Sequence, residues 1–490
     1  MVAVPKLPKG SHPIKITSVH FHVDLVTADI DRAWDYTFEL TDEHPGPEDL
    51  DPMKMTYDTL GEECYKRCNE ISPPVSGTLP RLNTQQFTQD VKKDEQKAHR
   101  DLYQVLKDNY ENDPVLKEFW EQVSYVPDWV DWDQIARGQD VFYRYGAANL
   151  TGLTYQSLLG GMGAGRVVET LARTGGFNTK VARRRLFETT QHILQVTKSL
   201  EAIQPLGEGW ASTIRVRLLH SAVRERIMKM ANQRPSYYSV EKYGIPINDL
   251  DSIGTIGTFS ASLVWISLPR QGIFLREQEE KDYFALWRYI AYVIGTPDWV
   301  FADLKVARRW MHALLLYEVQ PTDMSGVLAS NIIKCLQGVP PLYTSKEMLT
   351  ASARWLNGNA LCDELGLERP SMYYTFLVAG QCAFYMWGAY TLRYIPSLDK
   401  RKIAFLRKAF WAVIVENKTG LEGKQTTFDM KYVPEFNTLT DGDDSHAVRS
   451  HTGQVERRNL RWMLIAVSGL VLGTFLSAKV VAATYRSLVA

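Results

Sequence analysis

The feature that most limits what this chain can fold into is a helical hydrophobic period that runs from Phe87 to Glu416. Apolar side chains recur at three- and four-residue steps, first at Phe87, Val91, Leu102, Val105 and Leu106, then from Trp132 through Ile135, Val141 and Phe142. That spacing gathers them on one face of a helix. Further helical patterns span Leu304–Glu318, Ser325–Cys335, Glu347–Trp355, Met372–Tyr394 and Lys400–Glu416, and no run of alternating strand-like residues interrupts them. The expected fold class is all-α, with a single large helical domain over residues 99–420. The segment Met372–Tyr394 is nearly uncharged and rich in aromatic and small residues. It is expected as a buried core helix.

The two ends read differently. Residues 1–98 are expected to form an N-terminal extension. In it, Val19–Leu25 is a short strand with His20 and His22 on the same face, and Glu43–Met53 and Ser72–Gly77 are loops. Residues 421–460 are polar and sparse in large apolar side chains, as in a linker that is poorly ordered around Thr438–His451. Then Trp462–Ala478 gives 17 residues without a charge, which meets the lower limit for a membrane-spanning helix. A C-terminal transmembrane helix is expected over 461–485, with Trp462 and Tyr485 as interfacial anchors. Arg457, Arg458 and Arg461 precede the span, against Lys479 and Arg486 after it, which favours a cytosolic domain on a single-pass tail anchor. Lys+Arg and Asp+Glu balance at 56 each, so no basic footprint for nucleic acid exists. The five cysteines are odd in number and scattered, which argues against a disulfide framework. Cys64 and Cys68 stand one helical turn apart, but no second pair completes a zinc site.

Three groups of residues could carry chemistry. In Arg215–Arg224, a helical plot puts Val216, His220, Val223, Ile227 and Met230 along one side, with Arg217 three residues before His220 and Arg224 four after. An imidazole backed by aliphatic side chains could be an axial haem ligand, with the arginines pairing propionate carboxylates. Equally, it could be a core histidine bonded to a carbonyl, with both arginines reaching water. Glu169, among Val167, Val168 and Leu171, is either a half-buried carboxylate with a raised pKa, able to exchange protons, or a surface group paired with Arg166 or Arg173. Arg185 and Thr189 share a face with Ile193 and Val196: a polar spot in a pocket, or a cap or interhelix hydrogen bond. The glycines of Leu158–Arg166 lack a preceding strand and the Lys-Ser/Thr of a phosphate loop, so they suit close approach of a helix or cofactor.

Several stretches in order then carry a resemblance: Val126-Pro-Asp-Trp-Val-Asp, Gly138-Gln-Asp-Val-Phe, Glu169 with Arg173-Thr-Gly-Gly-Phe, Arg184-Arg-Leu-Phe-Glu-Thr189, Arg215-Val-Arg-Leu-Leu-His220 with Arg224, Pro246-Ile-Asn, and Leu286-Trp-Arg288. Together they resemble the haem-dependent oxygenase family of ER-bound MpaB-type enzymes and rubber oxygenases (latex-clearing proteins), well over residues 125–300 and loosely over 100–415. The resemblance implies an all-α domain binding haem b. Within it, His220 is the proximal iron ligand, Arg224 helps to hold the haem, Arg185 and Thr189 form the distal motif, and Glu169 is the catalytic base. One departure is Glu188, where rubber-cleaving members carry a lysine. The resemblance implies a membrane-anchored oxygenase at the endoplasmic reticulum. It would use O2 on a hydrophobic, isoprenoid or unsaturated lipid-like substrate, by C=C cleavage. The rival expectations are haem-dependent hydroxylation or peroxidase-like oxidation without cleavage, and a non-catalytic, membrane-anchored lipid-binding protein.

Overall fold

The computed structural model describes residues 29–73, 100–428 and 453–489. The expected strand Val19–Leu25 with His20 and His22, the start of the helical pattern at Phe87 and Val91, and the segment Thr438–His451 lie outside the described residues.

Local sequence explains where the first helices begin. Helix α1 (Thr59–Ile71) starts after Asp58, α2 (Leu102–Asn109) after Asp101, α3 (Pro114–Ser124) after Asp113 and α4 (Trp132–Arg144) after Asp131. Each of these aspartates accepts a main-chain N–H of the first turn. A short acidic side chain at this position satisfies donors that the helix itself cannot. Helix α5 (Gly146–Gly152) runs on through a widened π-type turn, Leu153–Gly160, into α6 (Gly165–Arg173). There follow α7 (Thr179–Val196), α8 (Glu208–Gln233), α9 (Asp249–Phe259), α10 (Glu277–Ile294), α11 (Leu304–Tyr317), α12 (Asp323–Leu336), α13 (Lys346–Asn357), α14 (Met372–Leu392) and α15 (Pro396–Trp411). Last comes α16 (Gln454–Val489). The all-α expectation holds: among the described residues the sole sheet is the hairpin of β1 (Asp29–Ala33) and β2 (Tyr36–Leu40), in register from Asp29 opposite Leu40 to Ala33 opposite Tyr36.

Helix α8 is buried along most of its length, with Arg217 and Arg224 among its buried residues. Trp210 is fully buried in the main core with Phe142, Tyr143 and Trp287, and its indole N–H donates to the Val123 carbonyl at 3.0 Å.

The structure corrects three expectations about the ends. Residues 29–71 are part of the domain, because Leu50, Cys64 and Cys68 are fully buried in its main core. Within Glu43–Met53, read as loop, Pro47–Leu50 is helical and leads into a 3-10 turn, Asp51–Lys54. The tail helix begins at Gln454 rather than after residue 460, and its first turns are docked. Asn459 is fully buried, its amide bonds Gln381 at 3.2 Å, and Leu460 packs against the apolar cluster that includes Leu377 and Val378. An added Cβ at Gly380 would stand 2.2 Å from the Asn459 carbonyl, so glycine is what lets α14 and α16 approach this closely. The expected core helix α14 is buried on one face only. Met372 is 72% and Trp387 53% exposed, because a helix that is apolar all round carries no sequence signal for which side faces inward.

Candidate active site

One cavity of about 950 Å³ lies inside the helical domain, walled by the π-type turn and by α6 to α11, with α13 to α15 and the root of α16 closing it. That is the upper end of the range for small-molecule sites. Its surface is mostly aliphatic and aromatic, including Leu186, Ile193, Val216, Leu219, Val223 and Phe259. Three glycines leave its wall open. A Cβ added at Gly161 or Gly257 would meet nothing within 4 Å, and one at Gly254 would reach only Leu314, 4.0 Å away. Gly254 and Gly257 lie on consecutive turns of α9, so that helix offers the cavity a smooth strip of backbone.

Helices α7 and α8 supply several of its polar groups. Arg185, Glu188, Thr189 and His192 line the cavity from α7, and His220 lines it from α8. Neither ring nitrogen of His220 has a hydrogen-bond partner among the described residues. Its pKa is pushed down to about 4, first by burial and then by the positive charge of Arg224, so the ring stays neutral with a lone pair available. His192 is similar but partnered: its Nδ1 lies 3.0 Å from Ser212 Oγ, and burial followed by His220 lowers its pKa to about 4. Sequence reasoning missed His192. The signal was there, since it stands seven residues after Arg185 and three after Thr189, hence on their helical face.

Arg185, Thr189 and His220 are thus brought together on one cavity. The other expected residues are not. Arg217 grips Asp58 by two hydrogen bonds of 2.7 Å and also donates to Gln122 Oε1 at 2.8 Å and the Val293 carbonyl at 3.2 Å. Arg224 donates to the carbonyls of Pro246 (3.2 Å) and Ile247 (2.9 Å) and lies over the Tyr57 ring. Both are buried, and neither lines the cavity. Residues three before and four after His220 project to its flanks, where Asp58 engages Arg217 and the carbonyls of Pro246 and Ile247 engage Arg224. Arg217 pins α1 to α8 through Asp58, the residue that also caps α1. Removing one member of a buried pair of this kind costs about 3–5 kcal/mol.

Glu169 also stands outside the cavity lining. Its carboxylate accepts from Arg173 at 2.7 Å across one turn of α6. The carboxylates that do line the cavity are Glu188, Asp251 and Glu318. Asp251 and Glu318 are both committed to Arg166, at 3.0 and 2.6 Å. Glu188 is buried and held only by longer contacts, 3.3 Å to Arg184 and 3.4 Å to Arg185. Among the described residues, no group of three His, Cys, Asp or Glu side chains could by itself hold a metal ion. A metal on His220 would thus need further ligands from a cofactor. A single unpartnered, neutral imidazole in an apolar wall beside backbone-smooth helix fits haem in this respect.

Comparison with known proteins places residues 139–387 in the family described as ER-bound oxygenase mpaB/B'/Rubber oxygenase, catalytic domain. Curated proteins give no match. Among solved structures, "Structure of Latex Clearing Protein LCP in the closed state" aligns over 73% of this chain and 91% of that one, at 13% identity and a TM-score of 0.49.

Proposed function

Because the chain belongs to the ER-bound oxygenase mpaB/B'/rubber oxygenase catalytic-domain family, we propose that it is a haem b oxygenase. We propose that it uses O2 to cleave a C=C bond in an isoprenoid or other unsaturated lipid-like substrate, giving two carbonyl products. The observation that carries this reading is His220: a neutral, unpartnered imidazole facing a large apolar cavity. Haem, when bound, supplies the iron at which O2 is activated.

The chain's own residues divide the remaining work. His220 would hold the iron from α8. Arg185 and Thr189 present a guanidinium and a hydroxyl to the same space from α7, where donors stabilise developing negative charge. The aliphatic and aromatic wall excludes water and positions a hydrocarbon chain. For the proton-accepting role this reading takes Glu188, which lines the cavity and is held by contacts of 3.3 and 3.4 Å, in preference to Glu169, which lies outside the lining and is held by Arg173 at 2.7 Å. The apolar part of α16 is read as a single-pass membrane anchor, in the endoplasmic reticulum with the domain on the cytosolic side. Its support is the helix Gln454–Val481, long and apolar enough to cross a membrane, whose apolar window beyond the docked root is not buried in the domain, with more arginine before the uncharged stretch than cations after it. A second stretch of sufficient length and apolarity, Asp249–Arg270, is mostly buried and forms cavity wall.

The test is the visible absorption spectrum of the full chain in detergent, beside His220→Ala. The full chain is needed because Val455 and Arg458, at the root of the tail helix, line the cavity. A Soret band in the parent that is lost or shifted in the variant is expected. A folded parent that stays colourless after haem is supplied would overturn the reading.

A further inference from the structure

Beside the tail helix the domain exposes a second apolar surface, at the C-terminal end of α14, the start of α15 and the loop that packs there. Phe274, Trp387, Tyr394, Ile395, Leu398 and Phe405 form it, each at least about one-third exposed and Tyr394 70% exposed. The pieces are joined by hydrogen bonds: the Phe274 N–H donates to Tyr390 Oη at 3.0 Å, and Arg393 donates to the Phe274 carbonyl at 3.1 Å. Isolated exposed apolar residues are ordinary, but a contiguous patch of large ones marks an interaction surface.

Two observations say what covers it. The patch is continuous with the tail helix, since the Trp387 ring packs, tilted, against Trp462 with centroids 5.2 Å apart and Phe384 does so at 5.0 Å. Further, Arg401 and Lys408 are exposed on the same stripe of α15 as Leu398 and Phe405, because positions 398, 401, 405 and 408 follow helical spacing. Cations interleaved with aromatic and aliphatic groups suit the boundary of a bilayer, where the apolar parts enter the acyl region and the charges reach headgroups. A protein partner or second copy would have to bury those cations.

We infer that this face of the domain is seated in the lipid bilayer, so that the protein is held by a broad monotopic surface as well as by its tail. The inference rests on reading the apolar part of α16 as a membrane span, and it extends that reading to substrate access. Phe384 and Tyr385 of α14 and Val413 after α15 line the cavity, and Val413 is also exposed. The wall behind the seated face is therefore the one through which a lipid-like substrate would arrive from the acyl phase.

The experiment uses the full chain reconstituted in phosphatidylcholine vesicles containing doxyl-labelled phosphatidylcholine. An environment-sensitive fluorophore is placed on Tyr394→Cys, Phe405→Cys or, as control, Met55→Cys, where the side chain is exposed on a different element. The five native cysteines are all buried. We expect the labels at 394 and 405 to be quenched about twofold or more by the doxyl lipid and the label at 55 to be unaffected. Ile395→Asp with Phe405→Asp should abolish quenching at 394 while the chain still resists alkaline carbonate extraction. Absence of quenching at 394 and 405 in a carbonate-resistant protein overturns the seated face and leaves the anchor intact. Energy transfer between separately labelled copies, without lipid quenching, assigns the face to a second copy and also overturns it. Release by carbonate with quenching retained removes the anchor reading and supports the seated face alone.

Discussion

A carboxylate can take a proton from a substrate only where it reaches the space the substrate occupies. By that criterion Glu188 and Glu169 exchange the places their neighbours in sequence suggest. Glu169 sits among valines and a leucine, yet α6 turns it toward Arg173 one turn on, and that arginine also donates to the Tyr237 carbonyl at 2.7 Å. Glu188 comes three to five residues after a run of three arginines, and α7 carries it into the cavity wall beside Arg185 and Thr189. The expected outcome is that Glu188→Gln retains haem and slows turnover by roughly a hundredfold, the scale of a lost general base, whereas Glu169→Gln retains both haem and turnover. Single-turnover rates with equal haem loading check this, and the reverse ranking would restore Glu169. His220 shows how much a single position can disclose in sequence: its apolar face was legible from spacing alone. Its freedom from partners was not, because that depends on what the facing helices leave open.

At the scale of elements, the hairpin of β1 and β2 is the part of the structure least visible in the sequence. Its tight turn uses Trp34 and Asp35, both with positive φ, where an Asn-Gly pair would have announced it. The hairpin is held by tertiary contacts. Phe38 stacks on His312 of α11 with centroids 4.2 Å apart, and His312 Nδ1 lies 3.1 Å from Nε2 of His44, just beyond the hairpin. Burial, then the charges of His44 and Arg308, push the His312 pKa down to about 4, and that of His44 is lowered as well. The folded state therefore holds the ring neutral while the unfolded chain, near 6.5, takes up the proton first. Stability from His312 is full above about pH 6.5 and declines as pH falls toward 4, a loss of about 2 kcal/mol by pH 5. Urea denaturation should show a lower midpoint at pH 5 than at pH 7, with the difference reduced in His312→Leu. An unchanged pH slope in that variant would discard the assignment. The tail helix is a contrasting case: its apolar length was plain in the sequence, but its docked root was not, since the close crossing depends on Gly380 lying opposite the Asn459 carbonyl.

For the molecule as a whole, the cavity is the feature that joins helices far apart in sequence, from the π-type turn to the root of α16. Its cost is visible at Gly257, where a helix interior lacks a side chain although one would fit. Gly257→Ala should stabilise the fold by about 1 kcal/mol, the usual helix-propensity difference. Gly257→Phe should instead fill space and lower the haem bound per chain, read as Soret absorbance at equal protein. Full haem loading in the phenylalanine variant would mean that this part of the cavity is not the cofactor's.

What the sequence by itself determined is what periodicity and composition encode locally: the all-α class, most helix positions, the apolar tail, and the faces that carry His220 and the Arg185–Thr189 pair. Each follows from interactions within one or two helical turns. Only the tertiary structure decided which polar groups meet the cavity and which meet each other. Asp58 claims Arg217, carbonyls of residues 246 and 247 claim Arg224, and Arg173 claims Glu169, leaving His220 unpaired. The physical reason is that a buried charge takes the strongest partner brought within reach. For Arg217 and Arg224 that partner comes from a segment distant in the chain, which spacing along a single helix cannot reveal.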